Sequence, residues 1–70
     1  MMPLTMAKIG EKNFVKRIGG KDQTRHFLEN LGFYEGSEVT VISQLNGNVI
    51  VSVKDSRVAI SKEMANIIMV

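Results

Sequence analysis

Hydrophobic and polar positions change period along this chain, and the changes divide it into elements. Lys12-Asn13-Phe14-Val15-Lys16-Arg17-Ile18 carries a loose strand-like pattern that stops at Gly19-Gly20. Phe14 and Val15 are adjacent, so one of them should point away from the main core. From about residue 21 to 31 the spacing becomes helical, with Thr24, Phe27, Leu28 and Leu31 on one stripe. Asp22 suits the N-cap or first turn, and Gly32 supplies a left-handed residue just past the end. About three turns of helix are unstable alone in water, so Phe27, Leu28 and Leu31 must dock against something.

The period switches back after Leu31-Gly32-Phe33-Tyr34-Glu35-Gly36, the stretch on which the rest of the chain hangs. Tyr34-Glu35-Gly36-Ser37 suits a type II turn with Gly36 at the position that needs positive φ. Alternation over residues 38–45 and 48–53 predicts two strands, joined by Asn46-Gly47, a strong hairpin signal. Val39, Val41, Val49, Val51 and Val53 share one face, with Ile42 and Ile50 on the other. Lys54-Asp55-Ser56 reads as a turn, and residues 57–60 as a short fourth strand. Ser61 caps a final helix over about 61–68, with Glu63 in its first turn and Met64, Ala65, Ile67 and Ile68 as its apolar stripe. Ahead of all this, residues 4–9 read as an apolar lead-in or short helical turn ending at Gly10. Four or five short strands with one inserted and one terminal helix are best closed by a small, strongly bent antiparallel barrel.

Seventy residues allow one domain, 1–70, with a thin core. The absence of cysteine removes disulfides and thiolate metal sites, so either the core suffices or a partner completes it. With 44% hydrophobic and 23% charged residues, the chain has the composition of a folded domain. No apolar run is long enough to span a bilayer and no secretory leader pattern is present, so a cytoplasmic protein with no membrane insertion of its own is expected. The net charge of +2 is concentrated early, in Lys8, Lys12, Lys16, Arg17, Lys21 and Arg25 against Glu11, Asp22 and Glu29. That is too sparse for a nucleic-acid stripe, so no nucleic acid is expected as a partner.

No nucleophile is framed by a base, and Gly19-Gly20-Lys21 lacks the rest of a phosphate-binding loop, so the chain is expected not to be an enzyme. The one arrangement with metal character is Asp22, His26 and Glu29, at i, i+4 and i+7 on one helix face, suited to Fe²⁺ or another divalent transition metal. Weighed against it is an ordinary solvated face opposite the docked stripe, which is the favoured reading. Of the aromatics, Tyr34 is the candidate for exposure and recognition, whereas Phe14, Phe27 and Phe33 belong to packing. If the two ends of the chain meet, Met1, Met2, Met6, Met64 and Met69 gather into an adaptable apolar patch.

The order of these motifs resembles the FeoA family, the small cytosolic component of bacterial ferrous-iron transport. The likeness runs from Pro3-Leu4 and Gly10 through the strand holding Val15 and Ile18, then Leu31-Gly32-Phe33 to Gly36. It continues through Val39-Thr40-Val41-Ile42, Val49 to Val53, Ser56-Arg57-Val58-Ala59-Ile60 and the closing Ile68-Met69-Val70. The resemblance implies a mainly β, SH3-like barrel with an added helix, of the kind also found in metal-dependent repressors. It implies a non-enzymatic adaptor that binds and modulates FeoB, a membrane permease with a cytosolic GTP-binding domain, and is recruited to the membrane's inner face through it. No required cofactor is implied, and a weak homo-oligomer is compatible. The tight Asn46-Gly47 hairpin departs from the longer, often proline-bearing loop of many relatives, and the family transfers no agreed metal ligands. The expected docking surface is Arg25, His26 and Glu29 of the helix together with Tyr34. The rival readings are a Fe²⁺ carrier or sensor and an SH3-like nucleic-acid-associated module.

Overall fold

A computed structural model describes every residue from Met1 to Val70. After a 3-10 turn at Leu4–Met6 come β1 (Lys12–Phe14), β2 (Arg17–Ile18), α1 (Asp22–Leu31), β3 (Glu38–Leu45), β4 (Asn48–Val53), β5 (Ser56–Ser61), α2 (Lys62–Asn66) and β6 (Ile68–Met69). Four strands make an antiparallel sheet in the order β1-β3-β4-β5, and β2 pairs with β6 in a second, two-stranded sheet. Fourteen buried hydrophobic residues form one core between them, and no polar side chain is buried.

The valine alternation sets the sheet. Val39, Val41, Val49, Val51 and Val53 are all buried, and the register places Val39 opposite Val53 and Val41 opposite Val51. Between Val41 and Ser43 the register shifts, so Ile42 is an extra residue on β3. Such a bulge bends the strand and increases its twist, which a six-strand barrel this small requires. Asn46 and Gly47 both take positive φ, as the two-residue hairpin link demands. Lys54 and Asp55 do the same between β4 and β5, with φ of 50° and 61° and no glycine to ease it.

The expected first strand over residues 12–18 is two strands in two sheets. Phe14 is the last residue paired to β3, opposite Glu38, whereas Arg17 already pairs with Met69. Val15 is the handover: its N–H donates to the Ser37 carbonyl (2.9 Å), and the next amide, of Lys16, donates to the Met69 carbonyl (2.8 Å). Val15 is buried and Phe14 is exposed, as their adjacency required.

The terminal helix is shorter than its apolar stripe implied. Ser61 caps it, its hydroxyl accepting from the Met64 amide (3.2 Å), but the helix ends at Asn66 and Ile68-Met69 form β6. Pairing of Ile68 with Ile18 wins over continued helix because it closes the barrel and buries Ile68 completely. The two ends of the chain do meet: Met2 and Val70 exchange both backbone hydrogen bonds, at 2.9 and 2.8 Å.

Candidate docking site

The corner between α1 and β3 is held by backbone groups that a free helix end would leave unpaired. Gly32 has φ 108°, its N–H donates to the Glu29 carbonyl (2.9 Å), and the Phe33 N–H donates to the Leu28 carbonyl (3.0 Å). Phe33, fully buried, anchors the corner in the core. The Ser37 hydroxyl accepts from the Tyr34 N–H (3.0 Å) and donates to the Gly32 carbonyl (3.1 Å). The Ser37 N–H returns to the Tyr34 carbonyl (2.9 Å), closing the expected turn with Gly36 at φ 89°. The Gly36 N–H donates to the Val15 carbonyl at 2.7 Å, tying the corner to the handover between the two sheets.

This rigid frame presents Tyr34, 47% exposed, to solvent. The Lys54 ammonium lies 5.1 Å from the centroid of its ring, within cation–π range. The lysine stem crosses Gly32: a Cβ built there would stand 3.0 Å from Lys54 Cγ. Beside this pair is a cleft of about 300 Å³ on the outer side of the sheet, lined by Ser37, Glu38, Thr40, Ser52, Lys54 and Asp55.

The helix contributes less order than the corner. Arg25 pairs with Asp22 (3.0 Å) along the exposed face, His26 is exposed, and Glu29 is half-buried. Such surface pairs are worth little to stability. Asp22, His26 and Glu29 share a face, but no three His, Asp or Glu side chains converge in a way that could hold a metal ion. Asp22 stands in the first turn, and Lys21, which occupies the N-cap position, makes no side-chain cap bond. Phe27 differs from expectation. It is 48% exposed, and the docked stripe is Leu28 at full burial with Thr24 and Leu31 half-buried. Phe27 and Leu28 are neighbours, too far apart around a helix to share one narrow contact line, and the barrel accepts only Leu28.

Lys54 and Ser37 were missed as members of this site. The sequence signal for Ser37 was its place as the last residue of the turn, where Ser side chains readily bond nearby backbone. Lys54 offered none, because its contact with Tyr34 depends on how two distant turns are brought together by the sheet.

No helix is long and apolar enough to cross a membrane. Comparison with known proteins follows the same architecture. The FeoA domain model matches residues 2–70. Over its full length the chain is 41% identical to the "Putative Fe(2+) transport protein A" of Methanocaldococcus jannaschii, covering 85% of that protein. A crystal structure of an iron uptake regulatory protein, FeoA, superposes with a TM-score of 0.88 at 32% identity, over 97% of this chain and 90% of that one. The FeoA of Stenotrophomonas maltophilia, solved with zinc and described as a procaryotic SH3 domain protein, gives 0.84 at 21% identity, over 99% of this chain and 88% of that one. The barrel described above is therefore SH3-like. With the match running from the N-terminal turn to the closing strand, the chain belongs to the FeoA domain family.

Proposed function

We propose that the chain is an accessory protein of ferrous-iron transport that acts by docking onto the cytosolic region of a FeoB-type GTPase permease, without catalysing a reaction itself. The observation that carries this reading is the rigidly framed corner with Tyr34 exposed upon it, in a chain that matches the FeoA domain throughout. A preformed surface loses little order on binding, which favours a recognition role. Tyr34 is the central residue, Lys54 holds its ring, and Arg25, His26 and Glu29 extend the surface along α1. Binding preferentially to one nucleotide state of the permease shifts its populations toward that state.

The test is a titration of the chain against the permease's isolated GTP-binding region in each nucleotide state. Arg25→Glu combined with Tyr34→Ala is expected to weaken binding by about tenfold or more. Unchanged affinity for that variant rejects the surface, and no binding by the parent chain in any state rejects the docking reading. The alternative, a Fe²⁺ carrier using Asp22, His26 and Glu29, has less support because these groups do not converge. Anaerobic calorimetry is expected to find ferrous binding no tighter than about millimolar, since a selective site needs an oriented ligand set.

A further inference from the structure

The four-stranded sheet ends at β5, and the outer side of that strand is bare. Val53 and Ser56 close a two-residue turn, so they form a hydrogen-bonded pair, and such pairs alternate along an antiparallel ladder. Ser56, Val58 and Ile60 therefore turn their backbone groups toward β4. The Lys62 N–H, donating to the Gly47 carbonyl at 3.0 Å, continues the same alternation past the strand. Arg57 and Ala59 turn their N–H and C=O groups the other way. No strand lies there, and no hydrogen bond reaches either residue from outside the sheet. α1 meets the neighbouring turn at Gly32 but bonds to no backbone group of β5. Arg57 and Ala59 are both exposed.

Sheet edges are ordinarily blunted by charge, proline, a bulge or brevity, because a row of unpaired groups templates another strand. β1, the opposite edge, is three residues long. β5 has six, in unbroken register with β4, without proline and with Arg57 as its one charge. An open edge of this kind takes up an extended backbone. The side chains of β5 select its own copy. In an antiparallel pair about a two-fold axis normal to the sheet, each residue meets one from the same face. With Val58 at the axis, Arg57 of each copy lies opposite Ala59 of the other, and each such pair exchanges both N–H···O bonds. The strand's one charge then stands opposite a methyl group instead of another arginine, and the half-buried Val58 side chains cover each other. In that register Asp55 of each copy faces Ser61 of the other, next to Lys62; Asp55 and Lys62 are exposed and have no ion-pair partner. Lys54, the like charge nearby, is drawn over the Tyr34 ring.

We propose that two copies of this chain associate edge to edge through β5, joining their β1-β3-β4-β5 sheets into one continuous antiparallel sheet. The contact is small, so the dimer forms at high protein concentration and dissociates on dilution. It is independent of what docks at Tyr34.

Sedimentation velocity over a roughly hundredfold concentration range reaching about 1 mM tests it, and the chain should pass from monomer to dimer by mass action. Amide hydrogen exchange identifies the surface. The Arg57 and Ala59 amides should exchange freely in dilute solution and gain about tenfold or more protection when concentrated, whereas the Val58 amide is protected in both samples. Ala59→Pro removes an outward N–H without touching the β4 ladder, so the fold should persist while the dissociation constant rises about tenfold or more. Two charge variants guard against a proline that disturbs the strand. Ala59→Lys sets like charge opposite Arg57 of the second copy and should weaken the dimer, whereas Ala59→Glu should tighten it, each by about threefold to tenfold. A chain that stays monomeric throughout overturns the proposal, as does a dimer that leaves the Arg57 and Ala59 amides unprotected. So does an Ala59→Pro dimer as tight as the parent's, or a pair of charge variants that shift the equilibrium in the same direction.

Discussion

At Gly32 a hydrogen atom takes the place of a Cβ for two separate reasons. Its φ of 108° lies where L side chains are strained, and the Lys54 stem and Val53 Cγ2 stand 3.0 and 3.5 Å from where that carbon would be. Gly32→Val should therefore cost more than about 1 kcal/mol of stability, read as a lowered midpoint of thermal or denaturant unfolding. Ser37 is the second sensitive residue, because its one hydroxyl serves both the Tyr34 amide and the Gly32 carbonyl. Ser37→Ala should cost about 1–2 kcal/mol and raise the hydrogen-exchange rate of the Tyr34 amide. Gly32 was legible from the sequence as the stop of a helical pattern. The pressure of Lys54 against it was not, since local spacing carries no information on which turns a sheet brings together.

Among elements, α1 shows most clearly where periodicity runs out. The helical stripe fixed its existence and both ends to within a residue, because a run of helix-compatible spacing ending in Leu-Gly has few other solutions. It did not say which of the adjacent Phe27 and Leu28 faces the barrel. The structure chooses Leu28, and the two residues should now behave very differently. Leu28→Ala should destabilise by about 2–4 kcal/mol, as expected for a fully buried leucine. Phe27→Ser should change stability by less than about 1 kcal/mol, and paired urea denaturation curves would show the contrast. The hairpin over β3 and β4 was read with its bounds intact, because Asn-Gly and alternating valines are local signals. β2 and β6 were missed as separate strands for the opposite reason. Each has two residues, and they pair with one another from positions far apart in the chain, Arg17 with Met69 and Ile18 with Ile68.

On the scale of the whole molecule, stability rests on closing that long-range pairing. Met69 and Ile67 accept from Lys16 and Gly19, and Val70 clasps Met2, while Ile68 and Val70 are buried with Leu4 in the same core. A chain ending at Ile67 loses one wall of the barrel together with two core side chains. It should give the dispersed amide spectrum of the parent only weakly or not at all, and a folded, cooperative truncated protein would show that the second sheet is dispensable. The barrel class followed from many short strands that needed closure, but the order in which they close depends on packing and could only be seen in three dimensions.

The clasp between Met2 and Val70 gives the backbone the topology of a nearly completed ring. If a short flexible linker joins the two ends, the chain can be opened somewhere else, and the exposed Asn46-Gly47 link is the natural place. Such a circular permutant should keep the strand order β1-β3-β4-β5 and the corner at Tyr34. It would turn the β3–β4 hairpin into two free ends, making the β3–β4 pairing the one between the ends of the chain and bringing β6 and β2 closer in sequence. A heteronuclear correlation spectrum that overlays on the parent's away from the new ends would establish that the order of segments along the chain is not what specifies this barrel.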